Sequence, residues 1–219
     1  MRKMFTFVLA LTMCAGSVFA EEAIEVGNFS YIFNSSKKTA EVYSSKLTSG
    51  NVVIPASVDY NSVTYTVTSI GKRAFMYEEK ITGFTFPDKL ETIGEQAFAG
   101  CKQLSELDFP ASLKEIGSSA FQGDDKVQKV TCRAIEPPTC GDYAFATYGK
   151  LYVPKGSIDK YKDAAGWSGF DPDIFAIEES AINQVQAESK TTSRKVVREG
   201  ALYIERNGEL FNATGARVK

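Results

Sequence analysis

Two carboxylates, Glu106 and Asp108, stand two residues apart in the segment LSELDFP, a spacing that suggests acid–base chemistry. On a strand, residues two apart point to the same side, and two carboxylates that flank a sugar linkage are what glycoside hydrolysis requires. Neighbouring positions on a flat strand face, however, provide no pocket to raise the pKa of an acid or to orient a sugar. We therefore predict that the protein is not an enzyme.

Histidine and cysteine usage narrows the chemistry further. The chain has no histidine, which removes the common triad nucleophiles and the commonest zinc ligand. Cys101 closes the phrase AFAGC, where we expect a small buried thiol. Cys132 and Cys140 flank Pro137-Pro138, so that a disulfide across a stiff loop and two free thiols both remain open. Without a CxxC pair or a glycine-rich phosphate loop, the sequence predicts no metal and no cofactor.

The first twenty residues have the character of an export signal. Arg2 and Lys3 precede an apolar run, and small residues before Glu21 suit cleavage after Ala20. A signal peptide over 1–20 is the favoured interpretation; a membrane anchor, and a lipoprotein beginning at Cys14, are the alternatives. We expect no transmembrane span after signal removal. With 25 Lys+Arg against 27 Asp+Glu, no electrostatic feature favours a nucleic-acid partner.

A phrase repeats along the middle of the chain. SIGKRAF, TIGEQAF and EIGSSAF begin at Ser69, Thr92 and Glu115, so that the period is 23 residues. A fixed period of this length is typical of a solenoid, whose coils bury their apolar faces only against each other. The repeat also aligns the phenylalanine of each Ala-Phe pair, with a looser fourth copy in GDYAF. Stacking predicts a buried ladder of Phe75, Phe98, Phe121 and Phe145.

The residues of each repeat predict the course of the backbone through one coil. Apolar residues two apart, such as Leu107 and Phe109, predict a very short strand, and the following proline, Pro87 or Pro110, ends it. The chain would return through the IG pair, whose glycine we interpret as permitting a tight bend, into a helical turn at Ala-Phe.

The repeats LETIGEQAFAGCKQLSELDFP and LKEIGSSAF resemble the BspA-type, or treponemal, leucine-rich repeats of bacterial surface proteins, over about Val52 to Val153. The resemblance implies a mainly β leucine-rich repeat solenoid of about five coils with short helical turns. It also implies that the protein is an adhesin that binds host matrix or plasma proteins or other bacteria. Two departures stand out: Asp124 replaces the repeated cysteine, and Pro137-Pro138 interrupts the return path.

The ends of the solenoid require covers. We predict an N-terminal β cap over 21–51, a hairpin turning at 34–38, and a solenoid with a C-terminal lid over 52–177. In the lid, Ser157 would cap a helix that buries Ile158, Tyr161 and Ala165, followed by Trp167 and Phe170. A linker at 178–194 precedes a small β meander at 195–219. GALYIERNGELFNATGARV resembles the sorting domain of type IX secretion substrates, which implies contact with the secretion machinery.

The outward positions of successive strands should form one polar face, where we place the ligand. Its candidate residues, with Gly83 and Lys150 beside them, are Thr85, Glu106, Asp108, Lys129, Thr131 and Tyr152. We expect a secreted or cell-surface binding protein that recognises a protein or glycan outside the cell. The alternative is a structural spacer without a specific ligand.

Overall fold

The repeated phrases fold into parallel coils stacked one on the next. In the computed structural model the described residues are 22–177 and the backbone of four later strands, 194–198, 201–206, 209–211 and 217–218. The predicted signal peptide (1–20) and almost all of the predicted linker lie outside the described residues. The chain divides into two units, 1–176 and 177–219.

The first unit is built mainly from short strands. In chain order they are β1 (Ile24–Val26), β2 (Phe29–Asn34), β3 (Thr39–Ser45), β4 (Ser49–Val53), β5 (Ser57–Tyr60), β6 (Val63–Ile70), β7 (Lys80–Thr85), β8 (Thr92–Ile93), β9 (Glu106–Phe109), β10 (Glu115–Ile116), β11 (Lys129–Cys132), β12 (Thr139–Cys140), β13 (Lys150–Val153) and β14 (Ile174–Ala176). Helix α1 (Ile158–Asp163) and a 3₁₀ helix (Ser168–Phe170) lie between β13 and β14.

The IG segments form one parallel ladder. Strands β3, β6, β8, β10 and β12 pair in that order within the described sheet. At each step a glycine amide donates to a carbonyl one strand earlier: Gly71 donates to Val42, and from β6 onward the acceptor is the isoleucine, as from Gly94 to Ile70 at 2.8 Å and from Gly117 to Ile93 at 2.7 Å. Strands β6, β8, β10 and β12 come from successive turns of the solenoid, and β3 belongs to the N-terminal cap, so the predicted solenoid of stacked coils is confirmed.

The predicted N-terminal hairpin is present and joins this ladder directly. Strands β2 and β3 pair antiparallel around a turn in which Asn34 Oδ1 accepts from the Lys37 amide at 2.9 Å. Strand β3 then pairs in parallel with β6. Tyr31 on β2 and Val42 on β3 are buried. The cap therefore extends the sheet of the first coil.

The phenylalanine ladder is confirmed. Adjacent rings of Phe75, Phe98, Phe121 and Phe145 lie 5.4, 5.2 and 5.7 Å apart at interplanar angles of 6–7°. The chain makes hydrogen-bonded turns here, and the amides of Phe75, Phe98 and Phe121 each donate to the alanine carbonyl of the next coil, for example from Phe98 to Ala120 at 2.9 Å. Each Phe is at least 94% buried, so the ladder supplies about 1.5–3 kcal/mol of gross transfer free energy per ring.

The IG glycines have a different role from the predicted tight bend. None of Gly71, Gly94, Gly117 and Gly141 has a left-handed φ. A Cβ on Gly117 would instead lie 2.5 Å from the Glu95 nitrogen of the previous coil. Glycine is needed because backbones of adjacent coils approach closely. The left-handed positions fall two residues later, in a column of Arg73, Gln96, Ser119 and Tyr143 with φ of 55–60°.

The C-terminal lid covers the last ring of the ladder. Trp167 is fully buried, lies 5.2 Å from the Phe145 ring, and donates through Nε1 to the Pro138 carbonyl at 2.7 Å. Two details of the prediction are wrong. The Ser157 hydroxyl makes no capping bond, since it donates instead to the Ile135 carbonyl at 2.9 Å. Ala165 is exposed, and Ala164 packs on the core in its place.

The three cysteines of the described residues are free thiols. Cys101 is buried as predicted and donates to the Phe75 carbonyl at 3.2 Å. Cys132 is also buried, where it accepts from the Tyr161 hydroxyl at 3.2 Å. The disulfide that the sequence left open between Cys132 and Cys140 does not form.

The second unit contains the predicted meander. Strands β15 (Arg194–Arg198), β16 (Ala201–Arg206), β17 (Glu209–Phe211) and β18 (Arg217–Val218) pair antiparallel in chain order. The three predicted turns lie between them, outside the described residues. Within the part of the chain that the structure describes, no helix is long and apolar enough to cross a bilayer.

Candidate binding surface

The predicted face exists over one sheet, formed by β9, β11, β13 and β14 in parallel register. Lys129 lies beside Glu106 and Lys150 in one row. In the next row Thr131 lies between Asp108 and Tyr152. Side chains between these rows, such as Val130, point inward and are buried. Five of the six predicted residues are thus brought together, and we call the outward side of these strands the strand face.

The remaining predicted residue, Thr85, lies on a separate pair of strands. Strand β7 pairs with β4, and the described sheet that carries the strand face begins at β9. The β4–β7 pair contains a register shift between Gly50 and Asn51, and the Asn51 side chain occupies the space over Gly83. The continuous face expected from the period is therefore two sheets.

The carboxylates at the β9 end are held by cations of the next coil. Lys129 Nζ lies 3.1 Å from Glu106, and Arg133 binds Asp108 through two nitrogens at 2.8 and 3.0 Å. Hydrogen bonding to Asp108 raises the pKa of the Arg133 guanidinium. These pairs are about half exposed, so each contributes at most about 1 kcal/mol to stability. Neither carboxylate is arranged as a free acid or base.

The opposite end of the face is aromatic. The Tyr152 ring lies 5.5 Å from the Phe175 ring, and Lys129 Nζ stands 6.0 Å over Tyr152. Phe175 is 39% exposed. Phe175 was not among the predicted face residues, because the stretch before Ile177 has the pattern of a lid. The alternation of Ile174, Phe175 and Ala176 was the available signal for a further strand.

A groove of about 640 Å³ runs along the start of β11 and β13. It shares Glu106, Lys129 and Tyr152 with the strand face. Its most prominent further residue is Tyr148, a half-exposed tyrosine that was not predicted from the sequence either. The lining is mixed polar and aromatic, which suits hydrogen bonding combined with ring stacking.

Beneath this region lies a buried acid. Asp124 is 1% exposed, and neither carboxyl oxygen has a hydrogen bond of ordinary geometry. Burial raises the pKa of Asp124 to about 7, an effect that the nearby amides of Cys101 and Gly100 offset only in part. It occupies the position that Cys101 has one coil earlier, so this coil buries an acid where its neighbour buries a thiol.

Metal chemistry has no visible support in the described part of the molecule. Residues 22–177 and the four later strands contain no group of three or more cysteine, aspartate or glutamate side chains that could hold an ion. The strand face consists of rows of side chains that can contact a binding partner.

Comparison with known proteins identifies the repeat. Residues 68–156 match the family described as "BspA type Leucine rich repeat region", in six copies. The match spans the three IG phrases and strands β8 to β13. No match was found among curated proteins.

Similar chains occur among solved structures. A leucine-rich repeat protein from Bacteroides ovatus is 23% identical with a TM-score of 0.52, over 70% of this chain and 41% of that one. This chain thus spans about two fifths of the length of that protein. A leucine-rich repeat protein from Bacteroides capillosus is 25% identical with a TM-score of 0.40, over 49% of this chain and 96% of the other. A leucine rich cell surface protein from Faecalibacterium prausnitzii is 14% identical with a TM-score of 0.31, over 92% and 61%. The first match shows the leucine-rich repeat fold.

Proposed function

We propose that this protein is exported and acts at the cell surface or in the medium as a binding protein, with the strand face as its recognition surface. The observation that carries the proposal is the parallel register that places Thr131 between Asp108 and Tyr152. Rows of exposed side chains at the strand spacing of about 4.8 Å can make many modest contacts to one ligand. The ligand would be a matrix protein, a glycan or another cell.

Binding of the mature protein to immobilised matrix proteins and mucins tests the proposal. Tyr152→Ala should weaken binding at least tenfold, because aromatic anchors carry much of the energy of an interface. Tyr43→Ala is the matched control, since Tyr43 is a 50% exposed tyrosine on the N-terminal cap. Equal binding by both variants would move the site away from the strand face.

A spacer role is the second candidate, favoured by the pairing of Glu106 with Lys129 and of Asp108 with Arg133. Charges that satisfy one another stabilise the stack and leave less for a ligand. Absence of binding to every immobilised probe, with the protein folded, would favour this role.

Export and attachment form a separate part of the proposal. The apolar N-terminal run supports a cleaved signal, and the sequence of 195–219 supports an address read by the secretion machinery. Mass spectrometry of both termini in fractionated cells should find a chain that begins near Glu21 outside the cytoplasm. An intact Met1 in the cytoplasm would contradict export, and normal surface display after deletion of 195–219 would contradict the address.

A further inference from the structure

The groove beside the strand face has the size of a small-ligand site. Its volume of about 640 Å³ falls within the range of roughly 300–1,000 Å³ that is typical of such sites. Its floor is formed where adjacent coils touch, since a Cβ on Gly149 would lie 2.3 Å from the Gln128 carbonyl oxygen. Close backbone contact makes this floor rigid.

Tyr148 forms an aromatic wall of the groove that is fixed before any ligand arrives. Its ring lies 5.0 Å from Phe170 at an interplanar angle of 84° and 6.4 Å from Phe145. Gly169 lies directly behind it, where a Cβ would be 2.6 Å from the ring. The ring is nevertheless about half exposed. A preorganised ring loses little conformational entropy when a ligand stacks on it.

The rest of the lining offers hydrogen-bond donors and acceptors of both charges. Glu106 and Lys129 pair with each other, and the Thr147 hydroxyl donates to the Val127 carbonyl. The groups that remain for a ligand belong to Asp125, Asp173, Lys150, Gln128 and Ser105. The small excess of carboxylates disfavours a polyanion. A ligand whose groups both donate and accept, as hydroxyls do, matches this lining.

We propose that this groove binds a neutral saccharide unit, with the C–H face of the sugar ring on Tyr148 and its hydroxyls toward Asp125, Asp173 and Lys150. This inference rests on the proposed binding function and specifies the ligand class at one edge of the strand face. A protein partner would need about 800 Å² of surface per side and would use the open rows of the face, whereas a sugar ring fits the groove beside them.

The test uses the mature protein with maltotriose, mannotriose and triacetylchitotriose as probes, followed by calorimetry and saturation-transfer NMR. Binding should be detected for at least one trisaccharide and should weaken roughly tenfold in Tyr148→Ala. Tyr148→Phe should keep most of it, because the stacking ring is retained. Tyr143→Ala is the control, since Tyr143 is a 79% exposed tyrosine that does not line the groove.

Tyr148→Ala also removes packing against Phe170, so a second variant guards against loss of the fold. Lys150→Ala combined with Asp173→Asn changes only exposed side chains and should weaken trisaccharide binding at least threefold at an unchanged melting temperature. Trisaccharide binding that survives both sets of variants, or failure of all three probes to bind, would overturn the proposal.

Binding to mucin distinguishes the saccharide proposal from the broader proposal that the strand face binds a partner. Intact mucin should bind better than enzymatically deglycosylated mucin, and the trisaccharide that binds should compete. Equal binding of both mucins, lost in Tyr152→Ala, would overturn the saccharide proposal and leave the binding function standing. Tighter binding of heparin than of any neutral probe would also overturn it.

Discussion

The side of each coil that carries the phenylalanine ladder, the turn side, keeps the same residue type from coil to coil, whereas the strand face changes. On the turn side the same aromatic recurs, and its rings stack at almost one angle from Phe75 to Phe145. On the strand face the equivalent position changes from Asp108 to Thr131 to Tyr152. The buried side is constrained because every coil is the solvent-excluding neighbour of the next. The exposed side is free to vary, and its chemistry differs from one end to the other.

We expect the largest loss of stability when one ring of the buried phenylalanine ladder is removed. Phe98→Ala should reduce the free energy of unfolding by about 3–5 kcal/mol, because it opens a cavity between two stacked rings. The 39% exposed Phe175 is the control, and Phe175→Ala should cost under about 1 kcal/mol. Urea denaturation of both variants makes the measurement. Equal losses would mean that the ladder does not dominate the stability of the stack.

Asp124 is a departure from the repeat on the turn side, because it stands where the previous coil has Cys101. Because burial raises the pKa of Asp124 from 3.8 to about 7, the folded protein binds a proton that the unfolded chain has lost. Its stability should be fully present below about pH 4 and decline as the pH rises through 7. A shift of this size corresponds to at most about 4 kcal/mol.

Asp124→Asn should therefore unfold at a higher temperature than the native protein at pH 8 and show little difference at pH 4. Asp124→Cys, which restores the residue of the previous coil, should do the same. Melting temperatures across this range make the measurement. A native protein that gains stability between pH 4 and 8 relative to both variants would contradict the buried-acid account.

A glycine substitution sharpens the comparison at the backbone. Gly117→Ala should cost about 1–3 kcal/mol, because its Cβ would meet the Glu95 nitrogen at 2.5 Å and backbone cannot move aside easily. Gly156→Ala is the control: its φ is +93° but nothing lies within 4 Å of the new Cβ. That variant should cost about 1 kcal/mol from conformation alone. If Gly156→Ala proved the more damaging, coil contact would not be the reason for the IG glycines.

The smallest effect concerns the ion pairs between coils. Lys102 Nζ lies 2.6 Å from Glu79, 23 residues earlier, and both side chains are more than half exposed. Lys102→Met should cost under about 1 kcal/mol, and the difference should shrink in 1 M salt because exposed pairs are screened. Chemical denaturation by urea at low and high salt measures it. A loss above 2 kcal/mol would show that surface charge stabilises the stack comparably to its rings.

The period carried most of the fold that could be predicted. Spacing alone placed the rings of Phe98 and Phe121 in one ladder, because a repeated apolar residue has one way to be buried in a stack. Trp167 was placed in the lid by the helix-like segment that follows the repeats and by the need to cover the last coil. The buried thiol of Cys101 and the outward direction of Asp108 and Tyr152 followed from the same reasoning.

Features that depend on contacts between non-equivalent segments could not be read from the period. Strand β7, which carries Thr85, pairs with β4, and that pair contains a register shift next to Gly50 that the period does not show. The sequence also does not show whether an IG glycine allows a bend or a close contact between coils. Ser157 has the right residue type for a cap, but a better acceptor lies 22 residues away in Ile135. Tyr148 joined the groove only because the lid placed Phe170 behind it.

The glycine-to-isoleucine hydrogen bonds make neighbouring turns of the solenoid interchangeable. If residues 93–115 were excised, Ile116 would follow Thr92 and the Gly117 amide would arrive where the Gly94 amide now meets Ile70. The caps at both ends would still pack against the same coils as before. Gain or loss of a whole period is thus a simple genetic route to a longer or shorter molecule, with one row of exposed side chains added or removed each time.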